Sequence, residues 1–144
     1  MIRKASINDF DKIEQFLCIK DYCLFGLTDN AHDLQKCCFE NCYLFIDKRK
    51  LKGIIAVDKN DYLYLCASKQ NDKVKNIENK LLRYLLRKRN CLHVNVEADN
   101  KKAVDFFHIN DFKIVQELRL NSQIIMSWAL GCPKGRFIRV KGDS

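Results

Sequence analysis

Three observations predict an α/β fold on a mixed sheet. First, a long amphipathic helical stretch (Ile77, Leu81, Leu82, Leu85, Leu86) lies between the apolar runs 62–67 and 91–96. A strand, a crossover helix and a second strand of that size form a βαβ unit, so part of the sheet should be parallel. Second, short apolar runs separated by charged or Asp/Asn-rich turns precede and follow this unit, as in hairpins. Third, the 144 residues are 47% hydrophobic and 31% charged, enough for a core and a solvated surface. Disorder is thereby excluded, and the length suits one domain.

Taken in order, Ile2–Lys4 reads as a short edge strand. Asp9 to Leu17 reads as a helix, capped by Asn8 or Asp9, with Phe10, Ile13, Phe16 and Leu17 at helical spacing. A less regular helical stretch covers Ala31–Phe39. Tyr43–Ile46 and Gly53–Val57 are strands of a hairpin turned by Asp47–Lys50, and Asp58–Asp61 turns the chain into a third strand, Tyr62–Ala67. After the long helix, Cys91–Val96 alternates, with Leu92, Val94 and Val96 on one side and His93, Asn95 and Glu97 on the other. Asn100 opens a short helix through Phe107. Phe112–Leu118 and Ser122–Trp128 close the sheet as an antiparallel pair. The predicted order is β-α-α-β-β-β-α-β-α-β-β in a single domain, 1–130. A basic tail, 131–144, carries the only proline.

No apolar run approaches the ~18–20 residues of a membrane span, and the N-terminus lacks a signal-peptide pattern. A cytoplasmic protein without a membrane partner is expected. The eight cysteines then read as reduced thiols. Zinc held by Cys37, Cys38 and Cys42, with Cys18, Cys23 or His32, is set aside because adjacent Cys37–Cys38 does not match paired C-x2-4-C spacing; no metal is expected. The net charge is +8, and Lys69–Asn90 alone carries +6. Such a field suits a polyanion, a phosphate-rich cofactor or nucleic acid. Without aromatics interleaved among the cations, nucleic acid ranks last, and a solvated helix face is the plain alternative.

Three stretches resemble the GCN5-related N-acetyltransferase (GNAT) superfamily. They are Ile2-Arg-Lys-Ala-Ser-x-x-Asp9-x-x-x-Ile13, Leu63-Tyr-Leu-Cys-Ala67 followed by a basic loop and Ile77-x-x-x-Leu81-Leu82, and Asn100-x-x-Ala103-x-x-Phe106-Phe107-x-x-x-Asp111-Phe112. The resemblance implies an acyl-CoA N-acyltransferase fold. It implies acetyl-CoA or another acyl-CoA as co-substrate, an unidentified amine as acceptor, and direct transfer. The pantetheine arm would pair with the main chain of Leu65, Cys66 and Ala67 like an added strand, where strand 62–67 splays from strand 91–96. The diphosphate would meet Lys73, Val74, Lys75, Asn76, Ile77 and Glu78 at the start of the long helix. Asn100 would bond the pantetheine, with Ala103 and Phe107 covering it. The acceptor site would fall to the 17–40 region and the last strands; a homodimer is left open.

The departures from the family pattern fall at chemically sensitive places. Asn76 and Glu78 stand where the family loop has glycines. Asn76 tolerates a left-handed backbone, whereas Glu78 sets a carboxylate beside the intended diphosphate. Phe107 replaces a tyrosine that protonates the leaving thiolate, and Asp111 replaces a turn glycine that Asn110 is expected to accommodate. Tyr64 is then a candidate proton donor, alongside Tyr62, and His93 and Glu97 are candidate bases, with Asp61 through water. A GNAT-fold binding or regulatory protein without catalysis is the alternative.

Overall fold

The computed structural model describes residues 1–17, 23–26, 41–68, 76–118 and 122–129, of which 17 and 23–26 are described in main chain alone. The expected helix Ala31–Phe39, the residues Cys18, His32, Cys37 and Cys38, the loop Lys73–Lys75 and the tail 131–144 lie outside this set. Contacts group the chain into two compact units, Met1–Lys88 and Arg89–Ser144.

The first unit runs β1 (Ile2–Lys4), a 3-10 turn (Ile7–Asp9), α1 (Phe10–Leu17), β2 (Cys23–Gly26), β3 (Cys42–Asp47), β4 (Lys50–Val57), β5 (Tyr62–Ser68) and α2 (Ile77–Leu86). The pairs β1–β3, β3–β4 and β4–β5 are all antiparallel, so the central three strands form a meander. Lys48 and Arg49, at φ 50° and 66°, turn the β3–β4 hairpin. Two central residues with positive φ match the right-handed twist of the flanking strands. In the next turn, Asp58 Oδ1 accepts the main-chain N–H groups of Asn60 and Tyr62 at 2.8 and 3.0 Å, holding Asp61 at φ 66°.

The first helix starts differently from expectation. Ser6, extended at φ −128°, precedes the 3-10 turn. Neither Asn8 nor Asp9 is the cap. Asp9 reaches back instead, accepting from the Ser6 N–H at 2.8 Å and from Arg3 through both guanidinium arms at 2.7 and 2.8 Å. The fork-on-fork geometry is the strong form of a charged hydrogen bond, and it fastens β1 to the start of α1.

This sheet is covered on both faces. On one face Ile13 and Phe16 of α1 pack on Cys42, Leu44, Ile54, Ala56, Leu65 and Ala67. On the other, Ile77, Leu81, Leu82 and Leu85 of α2 are fully buried, each contributing roughly 1.5–3 kcal/mol. Gly53 permits that approach. A Cβ there would lie 2.5 Å from Ile77 Cγ2, 3.1 Å from Leu81 Cδ1 and 3.3 Å from the Ala67 carbonyl oxygen.

The second unit contains β6 (Cys91–Glu97), α3 (Lys101–Ile109), β7 (Lys113–Leu118) and β8 (Gln123–Ala129). β8 pairs antiparallel with both β6 and β7. Leu92, Val94 and Val96 are buried while Asn95 and Glu97 are exposed, as the alternation requires.

The first unit can be probed at two of its fastenings. Arg3 and Ser6 hold the Asp9 carboxyl down to about 2 from an ordinary 3.8. A depressed carboxyl stabilises the fold above its unfolded pKa and stops doing so as pH falls through the folded one. Asp9→Asn should therefore cost about 2 kcal/mol at neutral pH. In denaturant titrations the gap between wild type and variant should close between about pH 4 and pH 2. Gly53→Ala should cost about 1–3 kcal/mol, the usual penalty for overpacking, read as a lower denaturation midpoint at unchanged slope.

Candidate functional site

Residues 65–67 of β5 have no side-chain surface to offer. Leu65, Cys66 and Ala67 are all buried, Leu65 and Ala67 toward α1 and Cys66, by alternation, toward the opposite face. Only main-chain groups at the strand's edges remain for a ligand. One edge is paired to β4, with Ile54 opposite Ala67, Ile55 opposite Cys66 and Ala56 opposite Leu65. The other edge is paired to β2, with Cys23 opposite Ala67, Phe25 opposite Cys66 and Gly26 opposite Leu65. Main chain of this same protein thus occupies the edge expected to receive a pantetheine arm.

The α2 N-terminus follows the expected register. Asn76 is its N-cap in the left-handed region, φ 62° and ψ 37°, and makes no side-chain capping bond. Its carbonyl accepts the first helical bond, from Lys80 N–H at 3.0 Å. First-turn N–H groups have no intrahelical partner and favour anions. Ile77 points into the core, while Glu78 is half-buried in that first turn. Lys73, Val74 and Lys75 fall outside the described residues. Of the cations on and after this helix, Lys80 lies over the Phe45 ring at 5.8 Å and Lys88 over Tyr84 at 4.9 Å. These two are engaged with the protein's own aromatics.

The two candidate bases of β6 do not form one cluster. Tyr64 belongs to the first unit, half-buried against the α1-side core. His93 and Glu97 are in the second unit on the same side of β6, four residues or about 13 Å apart, so they do not serve one proton together. Glu97 is exposed opposite Gln123. His93 has a defined partner, its Nδ1 lying 2.6 Å from Oγ of Ser127, the buried residue opposite it on β8. Which of the two groups donates depends on the imidazole tautomer. Ser127 was not anticipated, because only the β6–β8 register reveals it. Asp61 sits in the β4–β5 turn.

Asn100 caps α3, its side-chain oxygen accepting from Ala103 N–H at 3.2 Å. Ala103 and Phe107 have no exposed surface, and the Phe107 ring lies 5.2 Å from that of Phe106 and 5.0 Å from that of Phe112. Its ring is packed within an aromatic cluster. Asp111 itself takes the left-handed backbone, at φ 69°. Asn110 stays at φ −93° with its amide donating to the Phe106 carbonyl at 2.9 Å, so it does not absorb the missing glycine as expected.

Among the cysteines, Cys42 is 1% exposed. Burial, helped by the Asp9 charge, pushes its thiol up to about 12. At neutral pH it is an uncharged core group, unsuited to binding metal as a thiolate.

No protein-family profile and no curated protein sequence matches this chain. Solved structures do match. A GNAT-family acetyltransferase from Bacillus cereus ATCC 10987 is 17% identical over 90% of this chain and 96% of its own, at a TM-score of 0.72. The ribosomal-protein-S18-alanine N-acetyltransferase from Escherichia coli is 15% identical over 95% and 97%, at 0.69. A structure of the NatC complex bound to Gag peptide and CoA matches at 15% identity over 90% and 98%, also at 0.69. The chain has the GNAT fold, and these neighbours span nearly its whole length.

The aromatic core yields a prediction. Phe107→Tyr places a hydroxyl where no surface is exposed, and a buried hydroxyl without a partner costs about 1–3 kcal/mol. The variant should unfold at lower denaturant concentration, and it should not gain acyl transfer activity.

Proposed function

We propose that this chain, which has the GNAT fold, is an N-acyltransferase that moves an acyl group from acetyl-CoA or another acyl-CoA to an amine. The observation that carries this reading is the α2 N-terminus: on that fold, Asn76 takes the left-handed backbone at the place where the family loop has a glycine. Main-chain donors of the first helical turn are thereby presented to an anion.

In this reading the diphosphate of the acyl-CoA meets the N–H groups at the start of α2, with Lys73 and Lys75 preceding them in the chain. The pantetheine arm runs along the main chain of Leu65–Ala67, whose N–H groups can also polarise the thioester carbonyl. His93 is the base. Its imidazole takes the proton of the attacking ammonium, with Ser127 hydrogen-bonded at Nδ1. The amine nitrogen then bonds to the thioester carbon, the C–S bond breaks, CoA leaves as a thiolate, and the nitrogen gives its second proton to solvent as the amide forms. Phe107 has no proton to give, so the thiolate is protonated by Tyr64 or by solvent. Asn100 acts through the helix it caps.

A second reading, a GNAT-fold binding protein without catalysis, is favoured by Glu78 and Phe107. Calorimetry decides whether the shared requirement is met. Acetyl-CoA should bind the wild-type protein with measurable heat, and silence at millimolar concentration would falsify the acyl-CoA reading. Glu78→Gln removes a carboxylate from beside the diphosphate at little cost to helix propensity. It should tighten binding several-fold at low salt, the gain shrinking as salt rises.

A further inference from the structure

We infer that β2 is a displaceable strap that occupies the acyl-CoA edge of β5 in the free protein and leaves when the co-substrate binds. The inference rests on the acyl-CoA reading above and adds a self-occluding device to it. A strand has two hydrogen-bonding edges, and residues 65–67 of β5 have both in use, one by β4 and the other by Cys23, Phe25 and Gly26. An arm that pairs with this main chain must replace one of the two.

The two partners are unequal. β4 pairs with β5 from Leu63 to Ser68, with a register shift only between Ala56 and Val57 and an unbroken run opposite 65–68, and its own other edge is held by β3. Losing it would open the meander and the core on both of its faces. β2 spans four residues and meets three of β5, and its register slips between Cys23 and Phe25, leaving Leu24 without an opposite number. A bulge of this kind interrupts the ladder and shortens the run of bonds that must break together. Release of β2 leaves β5 still paired along β4. The main-chain bonds that β2 gives up on β5 are those a pantetheine arm would take, so the exchange conserves pairing on β5 while exposing β2.

A self-occupied edge makes the binding-competent form a minor population of the free protein. The apparent dissociation constant is then raised by the inverse of that population. Occupation also shields a strand edge that would otherwise be a template for pairing with other chains.

Hydrogen exchange of the full-length wild-type protein, with and without saturating acetyl-CoA, tests this directly. Amides of 23–26 should be protected in the free protein and lose protection on binding, while those of 65–67 stay protected in both. Phe25→Pro, which removes a main-chain donor from the strap, should bind acetyl-CoA about tenfold or more tightly. Protection of 23–26 that persists at saturation overturns the strap and leaves the acyl-CoA reading intact. An unchanged affinity in a Phe25→Pro protein whose circular dichroism matches wild type overturns the strap in the same way. If that variant fails to fold, the wild-type exchange experiment decides alone. Absence of acetyl-CoA binding by both proteins overturns the acyl-CoA reading, and the strap with it.

Discussion

The β4–β5 ribbon is buried on both faces, and most of what this protein can do follows from that constraint. With α1 against one face and α2 against the other, the side chains of residues 65–67 are committed to the core. At residues 65–67 only main-chain atoms remain for a ligand, and their positions are fixed by neighbouring strands and not by rotamers. The same constraint explains Gly53, since α2 lies so close over β4 that even a methyl group would collide with Ile77. Ile77 and Leu81 pack the start of α2 directly onto the ribbon.

Much of this architecture was legible in the sequence because it follows from periodicity. The stripe Ile77–Leu86 and the alternation of 91–97 marked their elements within a residue or two. The tolerance of Asn for positive φ fits the left-handed backbone that Asn76 takes at the α2 start. What could not be read depended on tertiary context. Cys23-Leu-Phe-Gly26 is too short to show a period, and only its register against β5 identifies it as a strand. Asn8 and Asp9 are both good capping residues, but the choice of Ser6 was made by Arg3, which draws the Asp9 carboxylate toward β1. At Asn110–Asp111, either residue tolerates a left-handed backbone. Asn110 was removed from the contest by its bond to Phe106.

The candidate chemistry divides along the same line. Residues inferred from motif position have local structural duties, Asn100 as a helix cap and Phe107 as an aromatic core member. His93 was one of several polar residues on an outward strand face until the β6–β8 register set it opposite Ser127. A histidine with one ring nitrogen committed differs from an uncommitted one in its tautomer, and that difference is invisible to spacing. Conversely, Glu97 shares His93's side of the strand and gains nothing from it, because four residues of strand carry it out of reach.

Cys42 carries a consequence of a different kind. Burial and the Asp9 charge push this thiol up to about 12, so at neutral pH it is held almost wholly in the uncharged form. Alkylating and oxidising reagents attack the thiolate, so this sulfur is chemically silent while α1 stays seated on β3 and β4. Its labelling rate therefore counts how often the α1 side of the core opens, a native clock that needs no introduced probe.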